Sequence, residues 1–342
     1  MISLLVVNFR SAALAANAIR TARAAASSPL QVVVVDNSCD ASEAGALRGV
    51  ADTLVVSETN RGYAGGINAG RGACEGDVIV ISNPDVTFAP QSLDLLASAL
   101  DRDTAVAGPA LFWDDAHRWH LPPGDLLTAP QKIGQILAGR SREWRAQRDR
   151  RRFQQRVAFW SLDRTTSVRM LSGAVMAVRA LDFDDLEGFD ERFPLYFEET
   201  DFLRRVAQRR KRIAYVPTAH CRHIYNQSAA QTSELASARY AESEWKYLEK
   251  WNGPWLTRTL KNLERKARLQ PPETGGLKLA VRSEDLVTEA SPLASFETAA
   301  GYFGHATDVP PEVRASLGGS ELYLRVVAID KAEVLATYKI TP

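Results

Sequence analysis

The run ISLLVVNFRS, Ile2 to Ser11, and the run QVVVVDNSCD, Gln31 to Asp40, decide the fold. Each is a short stretch of mostly β-branched and leucine side chains that stops abruptly in polar residues, and an alanine-rich helical stretch lies between them. That is the rhythm of a strand, a crossover helix and a second, parallel strand. Thr53 to Val56 and Val78 to Ile81 continue it, ending in ETNRG and SNPDV. Strands that are apolar on both faces belong to a parallel sheet covered by helices. In such open sheets ligands sit outside the carboxyl ends of the strands, where Asp36, Asn60 and Asp85 fall.

Composition sets the bounds around this core. At 342 residues, 45% hydrophobic and 24% charged, the chain has a globular make-up and predicts either one large domain with an appendage or two domains. A formal charge of +1 gives no global pull towards nucleic acid. Three scattered cysteines, Cys39, Cys74 and Cys221, point to a reducing compartment rather than a disulfide framework. The apolar start is too short to span a bilayer and lacks the marks of a signal peptide, so membrane contact is expected to be peripheral. A dinucleotide fingerprint would need G-x-G-x-x-G after the first strand, where Asn8-Phe9-Arg10-Ser11 stands instead, and no Gly-Lys-Ser/Thr follows a strand.

Four clusters carry chemistry. NRGYAGGINAG, Asn60 to Gly70, holds four glycines, which predicts either a tight strand-to-helix turn or close backbone approach to a phosphate or sugar. SNPDV, Ser82 to Val86, sets Asn83 and Asp85 two residues apart beyond a buried strand, where hard oxygen ligands suit Mg²⁺ or Mn²⁺ shared with a diphosphate; a plain Asn-Pro-Asp turn is the bland alternative. Between Gly188 and Arg205, Glu198, Glu199 and Asp201 open a helical run over Thr200 to Arg212. Acids there favour the helix dipole, and crowded, partly desolvated carboxylates also suit a general base. His223, with His220 as competitor, follows an apolar strand where an imidazole can join a metal or phosphate.

The far segments differ in composition. Residues 139 to 156 contain eight arginines and two acids, which fits a solvated helix or a grip on phosphates, and we expect them to hold a phosphorylated lipid acceptor or an anionic membrane surface. The stretch RTLKNLERKARL reads as an amphipathic basic helix, and 270–276 as a linker. The division expected is 1–268, with halves 1–110 and 111–268, and a β-rich module at 269–342. That module holds six basic and ten acidic side chains, about −4, against about +5 for the remainder, so the two parts should attract.

Taken in order, VNFRS, VVDNS, NRGYAGGINAG, SNPDV, LSGAVMAVR, GFDERF with YFEETDFLRR, and VPTAHCRHIYNQS resemble family 2 glycosyltransferases over about residues 1–250, most closely the rhamnosyltransferase-like bacterial branch that builds polysaccharides. The resemblance implies an α/β GT-A fold with a mostly parallel central sheet, holding a nucleotide-sugar half and an acceptor half. It implies that Asp36 accepts from the pyrimidine, that Asn8, Arg10, Asn60, Gly62, Tyr63 and Asn83 line the donor, and that Ser172 and Gly173 border the sugar. Asp85 and His223 would hold Mg²⁺ or Mn²⁺. The family usually reads Glu-Asp-x-Asp at the base motif, whereas this chain reads Glu198-Glu199-Thr200-Asp201. Glu199 takes the aspartate's place as expected base, with Glu198 and Asp201 as alternatives; the extra methylene shifts the carboxylate by about 1.5 Å, one C–C bond.

The activity implied is single-displacement, inverting transfer of a sugar, dTDP-rhamnose being the favoured donor, to a hydroxyl of a saccharide or polyprenyl-linked saccharide. Expected partners are that donor, that acceptor, the inner face of a membrane met peripherally through 139–156, and a second copy of the chain; nucleic acid is not expected. The location implied is cytoplasmic. Two competing functions are a catalytically silent scaffold on the same fold and a nucleotidyltransferase, though the latter wants a Gly-rich basic loop after the first strand.

Overall fold

The computed structural model describes residues 1–193, 195–224, 233–266 and 285–340. Its main sheet is nine-stranded, in the order β3-β2-β1-β4-β8-β6-β9-β5 with β7 paired to β9. These are β1 (Ile2–Asn8), β2 (Leu30–Asp36), β3 (Thr53–Val56), β4 (Val78–Ser82), β5 (Val86–Phe88), β6 (Thr104–Phe112), β7 (Thr166–Ser167), β8 (Val175–Arg179) and β9 (Arg212–His223). β1, β2, β3, β4, β6 and β9 point one way, while β5, β7 and β8 run against them, so the sheet is mostly parallel but mixed. Residues 2–8 of β1 are buried throughout, as a strand covered on both faces requires.

Helix α1 (Ala12–Ala25) lies on one face, where Ala15, Ala18 and Ala22 bring its backbone close to the strands. On the other face sits α3 (Gly62–Arg71). A Cβ on Gly70 would stand 2.4 Å from Leu5 Cδ1, and one on Gly66 would stand 2.9 Å from both methyls of Val7. The glycine-rich run therefore answers in large part to helix-on-sheet packing rather than to a phosphate cradle. Gly62, with φ 72°, supplies the turn.

α5 (Ala129–Ala138) and α6 (Arg142–Trp160) follow β6, the Arg-rich stretch forming most of α6. α8 (Glu198–Gln208) starts two residues before the expected helix, and α9 (Ser233–Arg265) covers it. α9 breaks at Gly253 (φ 80°, ψ 162°), ahead of Pro254. Among the described residues no helix is long and apolar enough to cross a membrane.

A second, antiparallel sheet has the order β11-β10-β12-β13, from β10 (Leu286–Ser291), β11 (Ala300–Phe303), β12 (Leu322–Ala328) and β13 (Glu333–Ile340). The strands expected at ELYLRVVAI and EVLATYKI are β12 and β13; the linker at 270–276, the 268/269 boundary and the strand expected at LKLAV lie outside the described residues. This module docks on α6. Buried Glu289 accepts from Arg156 Nε at 2.8 Å and from Arg325 Nε at 2.6 Å, Arg148 pairs with Glu297 at 2.8 Å, and Arg152 donates to the Glu297 carbonyl at 3.0 Å. The attraction between the acidic module and the basic remainder is thus localised on one helix. Arg148, Arg152 and Arg156 hold the module and are not a free basic surface, while Arg150 and Arg151 remain exposed. His120 and Gly301 exchange both backbone hydrogen bonds at 2.8 Å, and the Trp160 ring lies where a Gly301 side chain would be.

Candidate active site

The carboxyl ends of β1, β2, β4 and β9 share one edge, and Asn8, Asp36, Asn37, Ser38, Ser82 and Asp85 there are buried rather than solvated. Asn8 is fully enclosed, donating to Asp36 Oδ1 at 2.9 Å, Ser38 Oγ at 3.1 Å and Glu43 Oε2 at 3.0 Å. Its own oxygen accepts from Ser11. Asn8 thus orients Asp36 rather than offering a free group to a ligand. Asp36 Oδ1 also accepts from the Ser38 N–H, which leaves Oδ2 buried and without a hydrogen bond. Asn37 Oδ1 is in the same state, its amide nitrogen donating to the Gly62 carbonyl at 2.8 Å. Arg10 is exposed with φ 54°, and Asn60 accepts from the Gly62 N–H at 2.8 Å. Buried polar atoms without partners are rare, and each calls for an explanation.

A second set of such atoms lies where β4 ends. Asn83 N–H bonds the Ala174 carbonyl at 2.9 Å, which draws the loop carrying Ser172 and Gly173 alongside Asn83 and Asp85. β5 pairs with β9 so that Val86 faces His223, and His223 Nε2 comes within 3.3 Å of Asp85 Oδ1. That oxygen is buried and makes no hydrogen bond. A carboxylate and an imidazole are ligands that Mn²⁺ and related divalent ions accept. Among the described residues no group of three His, Cys, Asp or Glu forms a cage, so a cation held here would draw further ligands from a bound diphosphate.

The Glu198-Glu199-Thr200-Asp201 motif arrives over a strained turn. Tyr196 and Phe197 both have positive φ, 67° and 71°, immediately before α8. Such backbone concentrates at functional sites because it must be over-determined by its surroundings. Asp201, fully buried, accepts from Arg205 Nε at 2.8 Å, Trp251 Nε1 at 2.9 Å and Lys250 Nζ at 2.6 Å. Lys250 reaches Asp190 as well, at 2.7 Å. Burial works against ionising Asp190, but hydrogen bonds from Arg192 and Lys250 overcome it and hold that carboxyl well below the usual range.

Glu198 and Glu199 present the opposite picture, since one oxygen of each is buried without a hydrogen bond. Burial pushes Glu198 well above the ordinary carboxylate range, and the neighbouring Glu199 adds to this. Burial also raises Glu199, although backbone N–H groups at the start of α8 favour its charged form. The Glu199 side chain runs along Gly173, where a Cβ would stand 2.9 Å from its Cγ. Tyr63, at the start of α3, has a buried hydroxyl without a hydrogen bond; its pKa is raised first by burial and then by Glu198, Glu199 and Asp85. Those three carboxylates therefore lie within electrostatic reach of the phenol.

A model of "Glycosyltransferase like family 2" matches residues 1–242 of the chain. The protein belongs to that family. This family 2 glycosyltransferase is similar to the N-acetylglucosaminyl-diphospho-decaprenol L-rhamnosyltransferase of two Mycobacterium tuberculosis strains, with 24% identity over 255 residues, 66% of this chain and 77% of the relative. Among solved structures it is similar to a Pyrobaculum calidifontis mannosyltransferase in complex with GDP-Man and Mn²⁺ (TM-score 0.44, 16% identity, 77% of this chain and 73% of that one). It is also similar to residues 1–349 of TarS from S. aureus in complex with UDP (TM-score 0.43, 13% identity, 73% and 70%). Family membership and the architecture together give the GT-A fold with its C-terminal antiparallel sheet.

Several residues of this glycosyltransferase escape a reading of the sequence. Asn68 accepts from Phe189 N–H at 2.9 Å and donates to the Phe189 carbonyl at 2.8 Å, locking α3 to the loop that leads into α8. Gly188, with φ 64°, leaves room for it, since a Cβ there would meet Asn68 Oδ1 at 2.4 Å. Lys250 and Trp251 are invisible as partners of Asp201 because the two ends of this contact lie 50 positions apart.

Proposed function

We propose that this enzyme transfers a sugar, rhamnose from dTDP-rhamnose, to a hydroxyl of a lipid-linked saccharide with inversion at the anomeric carbon. The observation that carries the reading is that Asp85, Glu198 and Glu199, within electrostatic reach of Tyr63, each keep a buried oxygen that lacks a hydrogen-bond partner, as the Tyr63 hydroxyl does. Asp36 Oδ2 and Asn37 Oδ1 await the donors of a pyrimidine base further along the same edge, with Arg10, Asn60, Gly62 and Asn83 around the nucleotide. Ser172 and Gly173 border the transferred sugar. Asp85 and His223 would hold a divalent cation, Mg²⁺ or Mn²⁺, which when bound would offset the charge of the leaving diphosphate.

Glu199 removes the acceptor proton. Its raised proton affinity matches that task, and its position against Gly173 brings the carboxylate beside the sugar. Burial and the neighbouring charge of Glu199 favour the protonated form of Glu198. Asp201 is a positioning residue, because Arg205, Lys250 and Trp251 already occupy both its oxygens and anchor the first turn of α8. Attack from the face opposite the diphosphate completes the transfer without a covalent enzyme intermediate.

The test is release of nucleoside diphosphate from a panel of nucleotide sugars, with and without Mn²⁺, in the presence of a diphosphopolyprenol-linked N-acetylglucosamine. The wild-type chain should consume dTDP-rhamnose in a Mn²⁺- or Mg²⁺-dependent reaction, and Asp85→Ala should not. Turnover by Asp85→Ala equal to wild type, or indifference to chelation of divalent ions, would contradict the reading.

A further inference from the structure

Among the described residues the most exposed large apolar side chain is Trp255 at 80%, ahead of Leu181 at 67%. It follows Gly253 and Pro254, where α9 breaks and its second half sets off in a new direction. That half packs on α5 in antiparallel register: Ile136 shares a small core with Leu260, and buried Lys132 pairs with Glu264 at 2.7 Å. Ile133 on α5 and Leu263 on α9 are exposed as well. Trp255, Arg258, Thr259, Asn262, Leu263 and Lys266 recur at helical spacing and are all exposed, so they lie along one face.

This face is basic. It carries Arg258, Arg265 and Lys266, with Arg140 reaching across to the Leu263 carbonyl at 2.6 Å, while Glu264 is turned to Lys132. An exposed tryptophan and aliphatic side chains among cations match an anionic lipid surface, where an indole sits at the headgroup level and each cation gains from the negative potential.

We infer that the α5–α9 face, led by Trp255 and Arg258, seats the enzyme on an anionic bilayer. The Arg-rich helix expected to do so is turned in part to the C-terminal module, with Arg148, Arg152 and Arg156 engaged there. The placement serves the active site. Trp251 bonds Asp201 of the base motif, and only four residues, at most about 14 Å of chain, separate it from Trp255. A lipid-linked acceptor hydroxyl would meet Glu199 close to the headgroups. This last step rests on the proposed acceptor; the seating itself does not.

The experiment is sedimentation of the full chain with extruded vesicles of phosphatidylcholine alone or with phosphatidylglycerol, in the absence of donor and acceptor. Wild type should pellet with the anionic vesicles and stay in solution with the neutral ones. Arg258→Glu should weaken the binding by at least about fivefold, the equivalent of one surface cation, and Trp255→Ala should weaken it as well. Both variants should retain wild-type melting temperatures and full transfer to a water-soluble acceptor analogue. Equal binding of wild type and both variants would overturn the inference. So would a dimer in solution that Trp255→Ala dissociates, because a second copy would then cover the face. Binding lost with soluble-acceptor transfer intact separates this inference from the glycosyltransferase reading, which the same transfer assay judges on its own.

Discussion

Two buried acidic clusters in this protein are wired in opposite ways. At the seam with the C-terminal module, Glu289 is fully buried and both its oxygens are occupied, one by Arg156 and the other by Arg325. Around Tyr63, Asp85, Glu198 and Glu199 each keep a buried oxygen with no hydrogen-bond partner. A saturated carboxylate can only hold structure, whereas an unsaturated one carries a desolvation cost that a ligand can relieve. Asp201 belongs with the first kind although it lies within the base motif, which is why we read it as a positioning residue.

The comparison predicts that the two clusters fail differently. Glu289→Ala leaves buried Arg156 and half-buried Arg325 without their partner and should cost about 3–5 kcal/mol of stability. Denaturant unfolding checks this, and transfer measured on the remaining folded enzyme should be near normal. Gly173→Ala should do the reverse, since the new Cβ would stand 2.9 Å from Glu199 Cγ and push that side chain aside by up to about 1 Å. Misplacement on that scale costs about 100-fold in kcat. Introducing Glu199→Asp into the same chain shortens the side chain and should recover part of the loss. If Gly173→Ala instead unfolds the protein with normal specific activity, the distinction breaks. The smallest effect is expected from Gly70→Ala, which overpacks α3 against Leu5 and Val35 and should destabilise by about 1–3 kcal/mol, again read by denaturant.

Much of the first 110 residues is legible in the sequence because the signals there are local. The apolar runs at 2–7 and 31–35 become adjacent parallel strands, with Asn8 opposite Asp36 in register. SNPDV announces a polar loop at a strand end, and the EET motif announces a helix start. Legibility fails where the deciding contact is distant. Eight arginines in 18 positions look like an anion grip, yet Arg156 answers to Glu289, 133 positions away. The glycines of NRGYAGGINAG look like a phosphate cradle, yet the spatial neighbours of Gly66 and Gly70 are Val7 and Leu5. No periodicity links Asp201 to Lys250 and Trp251, so the motif favours Glu199 by position but keeps Glu198 and Asp201 as alternatives. Only their partners separate them.

The most direct test is the pH dependence of kcat/KM for wild type, Glu198→Gln and Glu199→Gln. A base acts only when deprotonated, and burial raises its proton affinity, so the wild-type rate should climb with pH along a limb displaced above the ordinary carboxylate range. Glu198→Gln should keep that limb, because its neighbour still titrates. Glu199→Gln should lose the limb together with about 100- to 10,000-fold in rate. Wild-type kcat/KM and an unchanged limb in Glu199→Gln would contradict the account.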